Sequence, residues 1–169
     1  MSSDAPVGLA ARGVDSPAAR VLPRRSPRFL RVVLLVLSML MLSLQLRPSV
    51  DHEIWEDGRR LPKTLVETGS TSFFDLRRAV IASSMRPFHS LNFVFPLRAL
   101  DETTAEELYR FELGGGAQQG VEDAVIRALG TSLLPALERP RTASRLFIDH
   151  VLFALRAHVA ARFGAPADR

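Results

Sequence analysis

From Leu40 to Leu46 every second residue is leucine, and Met41, Ser43 and Gln45 stand between them. A repeat of two is that of a strand, whose side chains point alternately to opposite faces. Leu91, Phe93 and Phe95 repeat the pattern against Ser90, Asn92 and Val94, and Pro96 closes that strand because proline cannot donate to a ladder. The face so formed is aromatic and aliphatic, and should meet a core or a pocket. Between these two strands, Asp57-Gly58 separates the short runs Ile54-Trp55-Glu56 and Arg59-Arg60-Leu61. Asp-Gly suits the positive φ that both central positions of a two-residue hairpin want, so a hairpin is predicted, ended by Pro62. Thr68-Gly69-Ser70 predicts a second turn, leading into Ser72-Phe73-Phe74-Asp75-Leu76.

After Pro96 the period changes. Leu97 to Tyr109 reads as a helix, and Gly114-Gly115-Gly116 opens a flexible joint over residues 114–120. No Lys-Ser/Thr follows these glycines, so they do not form a phosphate loop. Two helices are expected to close the chain. In the first, Val121, Val125, Ala128 and Leu129 share one face and Asp123, Arg127 and Thr131 another, with Pro135 kinking or ending it. The second should run from Pro140 to Phe163, capped by Gly164 with Pro166 beyond. Its polar stripe is narrow: Arg145, Asp149 and Arg156. Leu146, Phe153 and Ala157 lie on one side, and Phe147, Ile148, Val151, Leu155 and Val159 on the other. So apolar a helix needs cover on more than one side, and a partner chain is a natural second cover. Leu146, Val151, Phe153, Leu155 and Ala157 are the candidate packing and dimerisation residues.

Residues 1–28 are rich in Ala, Arg, Pro, Ser and Gly and show no usable period, so a disordered tail is expected. Two readings stand for residues 29–46. Arginines precede an apolar run from Val32 to Leu44, as in an uncleaved membrane anchor. That run has 13 residues where a helical span needs about 20. The alternating leucines make its second half a strand, which is the favoured reading.

Charge changes the picture only once it is located. Residues 1–40 hold six arginines against two aspartates, while the other 129 residues hold 16 basic and 16 acidic side chains. Nucleic-acid binding needs a basic patch to displace counterions, so this body is not expected to bind DNA by itself. The chain has no cysteine, which removes disulfides, thiolate metal sites and a cysteine nucleophile, and is consistent with a cytosolic protein. His150 and His158 are eight residues apart, too far for one ion, and His52-Glu53 lacks a second histidine at zinc-protease spacing. No serine stands in a nucleophile elbow. No enzymatic activity, metal or cofactor is expected. Trp55, Phe93 and Phe95 are the candidate lining of an effector pocket, with ordinary core packing as the plainer alternative.

Several segments resemble one family in order. They are Leu44-Gln45-Leu46-Arg47-Pro48, the run from His52 to Gly58, Asp75-Leu76-Arg77-Arg78, the run from Pro87 to Phe93, and the run from Phe95 to Asp101. Leu133 to Pro140, Ala143 to His150 and Ala157-His158-Val159 continue the series. Together, over residues 40–164, they resemble the N-terminal half of AraC-family transcription regulators. The resemblance implies an α+β fold: a partial cupin-like antiparallel β-domain over residues 40–113, followed by a C-terminal helical pair at residues 121–164. It also implies a small-molecule effector and pairing as a homodimer or as a heterodimer with a full-length relative. The DNA-reading helix-turn-helix units of that family have no counterpart here, so a truncated or frameshifted regulator is expected. Its location would be cytoplasmic, with the inner membrane as the alternative through residues 29–46.

Overall fold

The computed structural model describes residues 18–21, 30–34, 38–49, 51–84, 86–102, 111–113 and 117–165. The elements run β1 (Ala18–Val21), β2 (Leu30–Leu34), β3 (Met39–Gln45), β4 (His52–Glu56), β5 (Arg59–Arg60), β6 (Thr71–Asp75), β7 (Val80–Ser84) and β8 (Ser90–Pro96). Then follow α1 (Leu97–Asp101), β9 (Glu112–Leu113), β10 (Gln118–Val121), α2 (Ala124–Ser132), α3 (Leu134–Glu138), α4 (Arg145–Phe163) and β11 (Gly164–Ala165). The fold is α+β. One antiparallel sheet has the order β1-β8-β3-β6-β10, a second has β2-β7-β4-β5, and β9 and β11 form a short pair.

Strand β3 sits at the centre of the larger sheet. Leu42 faces Phe73 on one side and Phe93 on the other, and Leu44 faces Thr71 and Leu91. Leu40, Leu42, Leu44, Phe73, Leu91, Phe93 and Phe95 are fully buried on this face, together with Ile126 of α2 and Leu155 and Val159 of α4. The helices therefore cover the leucine face. The opposite face carries Met39, Met41, Phe74 and Val94, which pack against Ile54, Val80 and Ala82 of the smaller sheet. Each large side chain taken from water here contributes about 1.5–3 kcal/mol, which is why period two in the sequence fixes which face meets which layer.

The hairpin at Asp57-Gly58 forms as predicted, with φ of 50° and 77° at its two central residues. Elsewhere the chain departs from expectation. The segment 29–46 is strand in β2 and β3 where it is described, so the membrane-helix reading does not hold there. Among the described residues no helix is long and apolar enough to cross a membrane. Ala18–Val21, placed within a disordered tail, pairs with β8 through Ala18–Val94 to Val21–Leu91. Gln118–Val121, placed at the end of a glycine joint and the start of a helix, is an edge strand on β6. Backbone pairing needs no apolar repeat, and neither segment has one. The glycine run 114–116 itself, and residues 103–109 of the helix expected to reach Tyr109, lie outside the described residues.

Helix boundaries also shift, for reasons of capping. Helix α2 starts at Ala124, with Asp123 as its N-cap, and buries Ile126 and Gly130 rather than Val125, which is 44 % exposed. Helix α4 starts at Arg145, not Pro140, because Ser144 accepts the amide of Phe147 at 3.3 Å. Gly164 follows with φ −74°, an extended residue paired to Leu113 rather than a left-handed cap.

Phe93→Ala should cost about 3–5 kcal/mol in urea unfolding, since it empties the centre of the helix-facing layer. Phe153→Ala, on a side chain 57 % exposed, should stay within about 0.5 kcal/mol of the parent. Equal losses for the two variants would contradict this division into inner and outer layers.

Candidate functional site

The three proposed pocket residues lie on two different layers. Phe93 and Phe95 lie two apart on β8 with rings stacked at 6.4 Å, and both are fully buried beneath the helices. Trp55 lies on β4 of the other sheet. Ile54 points to the layer between the sheets, so alternation turns the half-buried Trp55 to the outer face. The two phenylalanines serve the core.

What lies between the sheets is graded in polarity. Met41, Phe74 and Val94 form an apolar row across three strands. One register step along, Ser43 stands between Ser72 and Asn92. Ser72 and Asn92 are buried, which is unusual for polar side chains on a sheet interior. His52 closes this end from the smaller sheet. Its Nδ1 lies 3.2 Å from Ser49 Oγ and its Nε2 lies 3.0 Å from Gln119 Oε1 on β10.

The segment Asp75-Leu76-Arg77-Arg78 is a brace. Arg77 pairs with Asp75 and, at 3.0 Å, with Glu112 of β9; the two carboxylates raise its pKa further. Arg78 pairs with buried Glu56 and, at 3.3 Å, with Asp57 of the hairpin. Glu56 also accepts the amide of Ala117, so one carboxylate ties the two sheets to the β10 approach.

Helix α4 presents two different surfaces. Val151, Leu152, Leu155, Val159 and Ala160 are buried against the sheet and α2. Leu146, Phe147 and Phe153 are 69 %, 45 % and 57 % exposed. Of the five residues put forward for dimerisation, Val151 and Leu155 are thus used within the chain. Leu146 and Phe153, with half-buried Ala157, remain on the outer side. Leu146, His150, Phe153 and Ala157 follow the spacing four-three-four of a coiled-coil seam. Asp149 and Arg156 flank this seam along one side; the Arg156 guanidinium lies 5.1 Å from the Phe153 ring centre, and Arg145 lies 3.7 Å from Asp149.

One cluster was not foreseen. Asp123, its side chain 3 % exposed, accepts the amides of Val125 and Ile126 at 2.9 Å each. It also accepts His158 Nε2 at 3.0 Å and Arg162 Nε at 2.9 Å, both from α4. A carboxylate only accepts, so Nε2 carries the histidine proton here. Burial raises the pKa of Asp123, but the bonds from His158, Ile126 and Val125 outweigh it and hold the carboxyl below its ordinary value of 3.8. The sequence signal was available: an Asp just before a periodic apolar run is a helix cap. Among the described residues no group of three His, Cys, Asp or Glu could hold a metal.

No family model and no curated protein matches the chain.

The depressed Asp123 pKa has a definite sign. Its contribution to stability is complete above about 3.8 and is lost as pH falls through and below that value. Urea unfolding from pH 7 to pH 3 should therefore show an acid loss that Asp123→Ala flattens, at a cost of about 1–3 kcal/mol at pH 7. An acid limb identical in the variant would remove Asp123 from the account.

Proposed function

We propose that this chain is the effector-binding and self-associating module of an AraC-like transcription regulator, acting in the cytoplasm. The observation that carries the reading is the outer face of α4. A helix that already buries one full side in its own domain keeps Leu146 and Phe153 in water, with half-buried Ala157 in line with them. Exposed apolar stripes of this kind are interaction surfaces, and heptad-like spacing selects another helix as the partner.

The flanking charges specify that partner. In an antiparallel pair of α4 helices, Leu146 packs over Ala157 of the second copy and His150 over Phe153, so large groups meet small or flat ones. The same two-fold axis brings Asp149 of each copy to Arg156 of the other. A closed two-fold pair follows, with the same patch used twice. A longer relative that shares this helix would pair in the same way.

The graded layer between the sheets supports the sensing half of the reading. It offers an apolar row beside a buried polar one, the combination by which small-molecule sites orient their ligand. Residues 41–169 carry as many acidic as basic side chains. Regulation by association, rather than by gripping DNA, is consistent with that balance.

Light scattering after size exclusion tests the pairing. The parent should run at twice the chain mass and Phe153→Lys at the chain mass, with unchanged circular dichroism. Asp149→Arg alone should weaken the dimer about tenfold, and adding Arg156→Asp should restore it, since the swap rebuilds both ion pairs. A parent that stays monomeric at high concentration, or a double variant no tighter than the single, refutes the antiparallel seam.

A further inference from the structure

We infer that the cleft between the end of β3, the turn before β6 and helices α2 and α3 binds a small organic monocarboxylate. The cleft has a volume of about 670 Å³, within the range of small-ligand sites. Leu46, Leu134 and Leu137 supply apolar surface. Arg47 and Arg127 supply two guanidiniums, and neither has an ion-pair partner among the described residues. Glu138 also lines the cleft, so the arginines leave it with one net positive charge.

The cationic side is built rather than incidental. Gly69 has a φ of 84°, and a Cβ placed there would lie 2.9 Å from Cδ and 3.1 Å from Nε of Arg127. The glycine thus provides the seat across which the Arg127 stem lies. The seat is itself held in place: the Gly69 amide donates to Gln45 O at 2.7 Å, the Gln45 amide to Ser70 O at 2.9 Å, and the Leu46 amide to His89 O at 2.8 Å. Gln45 and His89 line the same cleft. The Gln45 side-chain amide nitrogen is buried with no hydrogen-bond partner, a donor that lacks an acceptor at this point of the fold.

Two forked donors beside leucine surface select a ligand with one carboxylate and a short hydrocarbon body. Arginine pairs with a carboxylate through two parallel hydrogen bonds, which a neutral amide or alcohol cannot match. The leucines add affinity with each buried methylene. This site uses no residue of the α4 seam, so it stands or falls separately from dimer formation.

Titration of the labelled full chain by heteronuclear NMR, with sodium hexanoate, acetate and neutral hexanamide as probes, tests the assignment. Hexanoate should shift the amides of Gly69 and Thr131 and bind at least about tenfold more tightly than acetate or hexanamide. Arg47→Gln and Arg127→Gln should each weaken hexanoate about tenfold or more, while Arg59→Gln, on the distant hairpin, leaves it unchanged. Should Arg127→Gln fail to fold, Arg47→Gln at the strand end reads the same loss. Hexanamide binding as tightly as hexanoate, unchanged affinity in Arg47→Gln, or shifts confined to the layer between the sheets would each overturn the proposal.

Discussion

Seven fully buried side chains on one face of a single sheet govern this structure. Leu40, Leu42 and Leu44 on the central strand, with Phe73, Leu91, Phe93 and Phe95 beside them, form a continuous apolar surface that water cannot be left against. Something must cover it, and the covering layer is helical: α2 and α4 lie across the strands and close the core with Ile126, Leu155 and Val159. The opposite sheet face has a lighter task. It meets the smaller sheet through fewer apolar groups and tolerates a polar row at Ser43, Ser72 and Asn92.

Covering the sheet fixes how α4 is rotated, and the Asp123 cluster strengthens that choice. One buried carboxylate caps α2 and binds His158 and Arg162 of α4, so the two helices share a single anchor. Once Val151, Leu155 and Val159 face inward, Leu146 and Phe153 have nowhere to point but outward. The outer stripe is therefore a consequence of the inner one, and its geometry is set before any partner arrives.

Period and turn chemistry made the central architecture legible. Alternating leucines and phenylalanines announced β3 and β8, and Asp57-Gly58 announced its hairpin, because both signals come from local physics that the fold obeys. Edge strands were opaque. Ala18–Val21 and Gln118–Val121 are held by backbone bonds to β8 and β6, and no side-chain pattern marks such pairing. The phenylalanines of β8 were read as facing a core or a pocket, and the fold buries them in the core; a sequence does not say which side of a sheet holds helices and which holds a second sheet. That is why Trp55 was grouped with residues on a different layer. The dimerisation candidates were found by helical period, yet only the packing of α4 separates Val151 and Leu155, which are spent on the core, from Leu146 and Phe153, which are not. The cleft around Arg127 joins a turn, a strand end and two helices far apart in the chain, and no linear motif records such a meeting.

The central claim is that the outer stripe of α4 pairs with its own copy in opposite direction. The chain has no cysteine, so thiols introduced on this helix would be the only ones present. Positions 146 and 157 are about 16 Å apart along one helix, beyond the reach of a disulfide. Across an antiparallel seam, residue 146 of one copy meets residue 157 of the other. Mild oxidation of Leu146→Cys/Ala157→Cys, followed by non-reducing electrophoresis, should give a covalent dimer, while Leu146→Cys alone stays at the chain mass. Cross-linking of the single variant as readily as the double, or none in either, would contradict the account.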